Sequence, residues 1–127
     1  MKTATTVAQT VLRVTGLVQL VLGIAFWTGN AEGLIPLHQL IGLLLVLSLW
    51  TLAAIAARAG VQPGLVALAA VWGLVTPILG LTQTRLLPGS AHWLIQVLHL
   101  LVGLGAIGQG EALAARIRAR GAAALQM

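Results

Sequence analysis

Residues 86–110 read LLPGSAHWLIQVLHLLVGLGAIGQG, a run without a single Asp, Glu, Lys or Arg. One helical crossing of a bilayer needs roughly 20 predominantly apolar residues, and this run is long enough. Within it lies His99, a titratable imidazole at a depth where water is scarce. A polar group there is costly without a partner, which marks it as a functional-site candidate. His92 lies two helical turns before it, and His38 sits near the head of another uncharged run.

The same pattern extends over the whole chain. Its 127 residues are 59% hydrophobic and 7% charged, whereas soluble domains carry charge on about a quarter of their residues. The few charges divide the sequence into four long uncharged runs: 14–31, 33–57, 59–84 and 86–110. The fold expected is all-α: one domain over residues 1–127, a four-helix transmembrane bundle in the lipid bilayer. Helices are expected at about 7–27, 34–57, 65–84 and 90–110, followed by a basic extension, 111–127, lying at anionic headgroups. The first run, with Lys2 before it and Gly29-Asn30-Ala31 after it, has the form of a signal peptide but is expected to remain as the first helix.

The formal net charge of +5 would suggest nucleic acid in a soluble protein. Here the distribution of basic residues explains it better, and no nucleic-acid partner is expected. Four crossings place both termini on one side, together with Lys2, Arg13, Arg58, Arg116, Arg118 and Arg120, against Arg85 alone on the other. The positive-inside rule then predicts cytoplasmic termini in a cell (inner) membrane. Arg13, about two turns inside the first helix, is expected to snorkel to the interface. Pro36 suits the first turn of the second helix, Pro77 is expected to kink the third, and Ser90 is a natural N-cap for the fourth. With no cysteine there are no disulfides and no thiol chemistry. Nor does any GxSxG, Walker loop, HExxH or paired carboxylate support hydrolase or nucleotide-driven chemistry.

An internal repeat is visible. Gly16-Leu17-Val18 and Leu22-Gly23-Ile24 match Gly73-Leu74-Val75 and Leu79-Gly80-Leu81, and His38-Gln39-Leu40-Ile41-Gly42-Leu43 matches His99-Leu100-Leu101-Val102-Gly103-Leu104. A duplicated two-helix unit keeps its orientation, which would bring His38 and His99 to a common axis along the membrane normal. His92 matches His38 as well, through His-Trp-Leu-Ile against His-Gln-Leu-Ile, and competes for the partner role.

Two histidines on facing helices can ligate one haem iron from both sides, so His38 and His99 are the candidate metal ligands, with haem b as the cofactor. Gly42 and Gly103 each lie one turn after a histidine and would admit a flat ligand. The rows Gly16/Gly23 and Gly73/Gly80 would do the same or serve close packing. Arg85, Gln39 and His92 lie toward the outer interface, where propionates would emerge. The arrangement resembles the small four-helix transmembrane b-type cytochromes, on His38, His99, His92 and the glycines around them. That resemblance implies one-electron transfer with a quinone or a redox partner protein, by a subunit acting alone or as a membrane anchor. The ligands of stacked haems lie about four turns apart on one helix in such proteins, so the two-turn spacing of His92 and His99 implies a single haem. The alternatives are a non-redox accessory subunit with structural histidines, in a homodimer or larger membrane complex; a transporter using His99 with Gln19; and a pigment-binding protein. The transporter lacks the embedded carboxylate usual in proton relays.

Overall fold

The computed structural model describes residues 1–126; Met127, the last residue of the expected extension, lies outside them. Helix α1 spans Lys2–Trp27, α2 Ile35–Arg58, α3 Pro63–Thr82 and α4 His92–Ala124, and there is no strand among the described residues. All four are long and apolar enough to cross a membrane. Single 3₁₀ turns, Glu32–Leu34 and Gln83–Arg85, precede α2 and follow α3. The protein is a four-helix bundle with the character of a multi-pass membrane protein.

Two helix ends are shaped by glycine. After α2, the Val61 amide donates to the Ala56 carbonyl and the Gly60 amide to Ala57, at 3.0 and 3.1 Å. Gly60 has φ +72°, the left-handed conformation that this closure requires and that glycine adopts without strain. Gly29, at φ +74°, ends α1 in the same way, with Asn30 donating to Ala25. Pro63 opens α3.

Helix ends depart from the sequence reading where charge was taken as a boundary. α1 begins at Lys2, with Thr5, Ala8 and Gln9 buried. α4 continues through the expected extension as one helix of 33 residues. Residues 111–124 are mostly Ala, Arg and Leu, good helix formers, and Leu113, Ala114 and Ile117 are buried. At about 1.5 Å per residue, α4 is near 50 Å long and overreaches a hydrocarbon layer of about 30 Å. α4 starts at His92, with Ala91 rather than Ser90 at the cap position and no side-chain cap.

Neighbours around the bundle are α1–α2, α2–α3, α3–α4 and α4–α1. α2 also touches α4 across the diagonal, whereas α1 and α3 do not meet. Lipid is as apolar as leucine, so close packing has to hold such helices together. Glycines supply it by receiving a side chain from the next helix. Gln19 of α1 lies over Gly42 of α2, Trp50 of α2 over Gly73 of α3, Trp72 of α3 over Gly105 of α4, and Ile107 of α4 over Gly16 of α1. The two indoles also donate to main-chain carbonyls of the helices they cover, Trp50 to Ala70 at 3.1 Å and Trp72 to Val102 at 2.8 Å. The tightest core, including Leu12, Leu49, Leu52, Ala56, Ala69 and Ala106, fills the half of the bundle nearer the chain termini.

That half also carries the ion pair. Arg13 donates to Glu111 through Nε at 2.6 Å and Nη2 at 2.8 Å. Gln9 donates to the same carboxylate at 2.6 Å, and Arg118 donates to Gln9 Oε1 at 2.7 Å. Arg13 therefore does not simply extend toward water; it is held by α4. The signal was present in the sequence, since Glu111 is the sole acid on the side of the chain termini. Because Glu111 accepts from both Gln9 and Arg13, we expect Glu111→Ala to lower the thermal midpoint of the detergent-solubilised bundle more than Arg13→Ala. A smaller effect of Glu111→Ala would show that the carboxylate is not the hub of the cluster.

Candidate functional site

In the opposite half, all four helices contribute to one layer. His38 stands one turn into α2 and His99 two turns into α4, and these parallel helices meet on the diagonal. Their ring centroids are 6.3 Å apart, with planes at 59°. From α1, Phe26 meets the His38 ring edge-on, at 5.3 Å and 72°. From α3, Gly80 lies beneath His99: a Cβ there would stand 3.0 Å from Cε1 of the ring. Glycine at residue 80 thus lets the imidazole lie against α3.

The remaining sequence candidates fall in different places. His92 opens α4, and its Nδ1–H donates to the Leu86 carbonyl at 3.1 Å, so that ring is tied to the turn between α3 and α4. It is His99, not His92, that meets His38. Gly42 is one turn below His38, but the Gln19 amide already covers it. Gly103, its counterpart in the repeat, has nothing within 4 Å, and neither has Gly23. Arg85 is exposed at the end of the 3₁₀ turn after α3, without an ion-pair partner among the described residues. Gln39 is exposed near the same end of the bundle.

These positions qualify the repeat. Its offset of 61 residues joins the two histidines that meet, as an axis between α2 and α4 requires. The surroundings are not symmetric, however. His99 lies on Gly80, whereas His38 lies against Phe26 and leaves Gly23 free.

The layer is polar in an apolar setting. His38 Nδ1, His99 Nδ1 and Gln19 Oε1 are buried without hydrogen-bond partners. Such atoms are rare in folded proteins and call for a ligand, a water or a rearranged neighbour. No side chain or main-chain carbonyl accepts from or donates to His99 Nδ1. Two imidazoles sharing one metal centre, each bound at about 2 Å, have ring centres about 6 Å apart. The His38 and His99 rings stand at that separation. Among the described residues no group of three or more His, Cys, Asp or Glu side chains comes together, so the fully protein-ligated tetrahedral type of metal site has no donor set here.

Sequence reasoning found the histidine pair but not its frame. The sequence reading pairs Gln19 with His99 and gives Phe26 no role at the site. Both lie seven residues apart on the bundle-facing stripe of α1, a spacing that could have flagged them. No protein-family model, curated protein or solved structure matches the chain.

Proposed function

We propose that the chain is a membrane-embedded b-type cytochrome, acting alone or as an anchor subunit, in which His38 and His99 hold one haem b between them. The observation that carries this reading is the meeting of these two imidazoles across the bundle diagonal, at the separation two axial ligands require. Haem, when bound, supplies reversible one-electron uptake. The chain supplies the rest. Helices α2 and α4 present the rings, Phe26 and Gly80 limit how they turn, and the apolar walls keep water from the ligands. The open flank at Gly103 leaves α4 free of side-chain obstruction one turn below His99. Arg85 and Gln39, exposed at the near end, are the groups available to propionates. Electron exchange with a quinone in the bilayer, or with a redox protein at the outer face, follows from a site so close to that face.

The test is the absorption spectrum of the full-length protein, purified after expression with added haem precursor. A sharp Soret band with α and β bands of bis-imidazole type in the reduced protein is expected. A colourless preparation after haem supplementation overturns the proposal and favours the accessory-subunit reading.

We further propose cytoplasmic termini in an inner membrane, on the distribution of six basic residues against one. Single cysteines placed at Asn30 and Leu87 should react with an impermeant maleimide from outside intact spheroplasts. Labelling only after lysis would reverse the orientation.

A further inference from the structure

The α1 stripe that reaches His38 contains two residues, not one. Phe26 touches the ring edge-on. Gln19, seven residues earlier and two turns deeper, crosses to α2 at Gly42: a Cβ on Gly42 would stand 2.7 Å from Gln19 Nε2. Gly42 is itself one turn below His38, so the Gln19 amide lies in the layer beneath that imidazole. Glycine at residue 42 makes the crossing feasible, because any side chain there would expel the amide. The repeat does not account for it, since nothing crosses to the equivalent Gly103. At this place an acceptor, Gln19 Oε1, and an imidazole nitrogen, His38 Nδ1, are both buried and both unpartnered.

We propose that Gln19 is the positioning residue of the histidine pair. Its amide oxygen accepts the Nδ1–H of His38 through one bridging water, since neither atom has a protein partner, and so holds His38 in the tautomer that offers Nε2 toward His99. This rests on the reading of His38 as a metal ligand. Ligating imidazoles are commonly fixed by a hydrogen bond from the ring nitrogen that does not bind the metal, which selects the tautomer and the ring orientation. The His99 ring lies against the backbone of Gly80, and its Nδ1 is likewise unpartnered. The two imidazoles therefore stand in different surroundings, His38 beside α1 and His99 against α3.

The primary readout needs no haem. In full-length protein labelled with ¹⁵N-histidine, solubilised in micelles and kept free of haem, the His38 ring signals are assigned by their loss in His38→Ala. Wild type should show His38 as a single tautomer with the proton on Nδ1. Gln19→Met, close in shape but without an acceptor, should shift the tautomer ratio by roughly three- to tenfold, the span expected for one net hydrogen bond. Gln19→Glu keeps an acceptor and should retain the wild-type tautomer. This second variant also decides the matter if Gln19→Met fails to fold. A His38 tautomer unchanged in Gln19→Met, or mixed in Gln19→Glu, overturns the proposal. Titration with haem is the second readout, with affinity expected to fall about ten- to a hundredfold in Gln19→Met. If wild type takes up no haem while the tautomer responds as stated, the cytochrome reading falls and the Gln19–His38 contact stands. If the tautomer does not respond, the role of Gln19 falls whatever the colour of the wild type.

Discussion

If His38 and His99 hold a haem as proposed, replacing either by alanine is expected to abolish its six-coordinate spectrum, and replacing His92 is expected to leave it intact with at most a shifted potential. This is the largest effect expected of any single substitution. Each of the first two variants removes one of two donors whose ring centres stand 6.3 Å apart, and no other imidazole can take its place. His92 is two turns from His99 along α4, about 10 Å at the helical rise, and its Nδ1–H is engaged by the Leu86 carbonyl. Ultraviolet–visible spectra of the oxidised and reduced variants, with haem content measured against protein, check the expectation. Retention of a normal bis-imidazole spectrum in His99→Ala would show that the pair seen in the fold is not the ligand pair, and would return His92 to the partner role. Loss of the spectrum in all three variants would point to a general collapse of the layer; a folding assay on each variant separates that case.

The second large effect concerns stability. Gly73→Leu should destabilise the bundle by about 1–3 kcal/mol or more, the usual range for overpacking a well-filled contact. A Cβ at residue 73 falls within the Trp50 indole, and pushing the indole aside also breaks its hydrogen bond to the Ala70 carbonyl. Gly23→Leu is the control. Both glycines belong to the repeated rows on α1 and α3, yet Gly23 has open space beside it, so the change should stay within about 0.5 kcal/mol. Unfolding in mixed micelles by titration with a denaturing detergent gives both values. Equal midpoints for the two variants would refute the interlocking of indoles and glycines inferred between neighbouring helices.

How much could be read in advance follows from which properties are local. Length, charge spacing and hydropathy are properties of the chain itself, and they sufficed for an all-helical bundle with four apolar helices in order. The turns at Gly29 and Gly60 were also readable, because a left-handed residue at a helix end favours glycine wherever the helix sits. Helix ends were less readable when charge served as the marker. A helix stops where its backbone turns, and the charged residues from Glu111 onward are helix formers, so α4 runs on to Ala124. The histidine pair was legible through the repeat, whose offset of 61 residues links the two imidazoles that meet.

The sequence by itself determined the class of fold, the number of helices and the small set of side chains able to carry chemistry. Only the tertiary structure decided how those side chains are used. The rotation of each helix about its axis, and the choice of diagonal that closes, depend on which knob meets which glycine. A seven-residue spacing states that Gly16 and Gly23 share a face, but not that Ile107 seats on one while the other stays free. By the same logic the chain shows Gln19, Phe26, Arg13 and Glu111 as isolated residues. It took the approach of α1 to α2 and of α1 to α4 to place an amide beneath His38 and a carboxylate against Arg13. Such contacts join residues up to 109 positions apart. They depend on packing between distant segments, which no local pattern encodes.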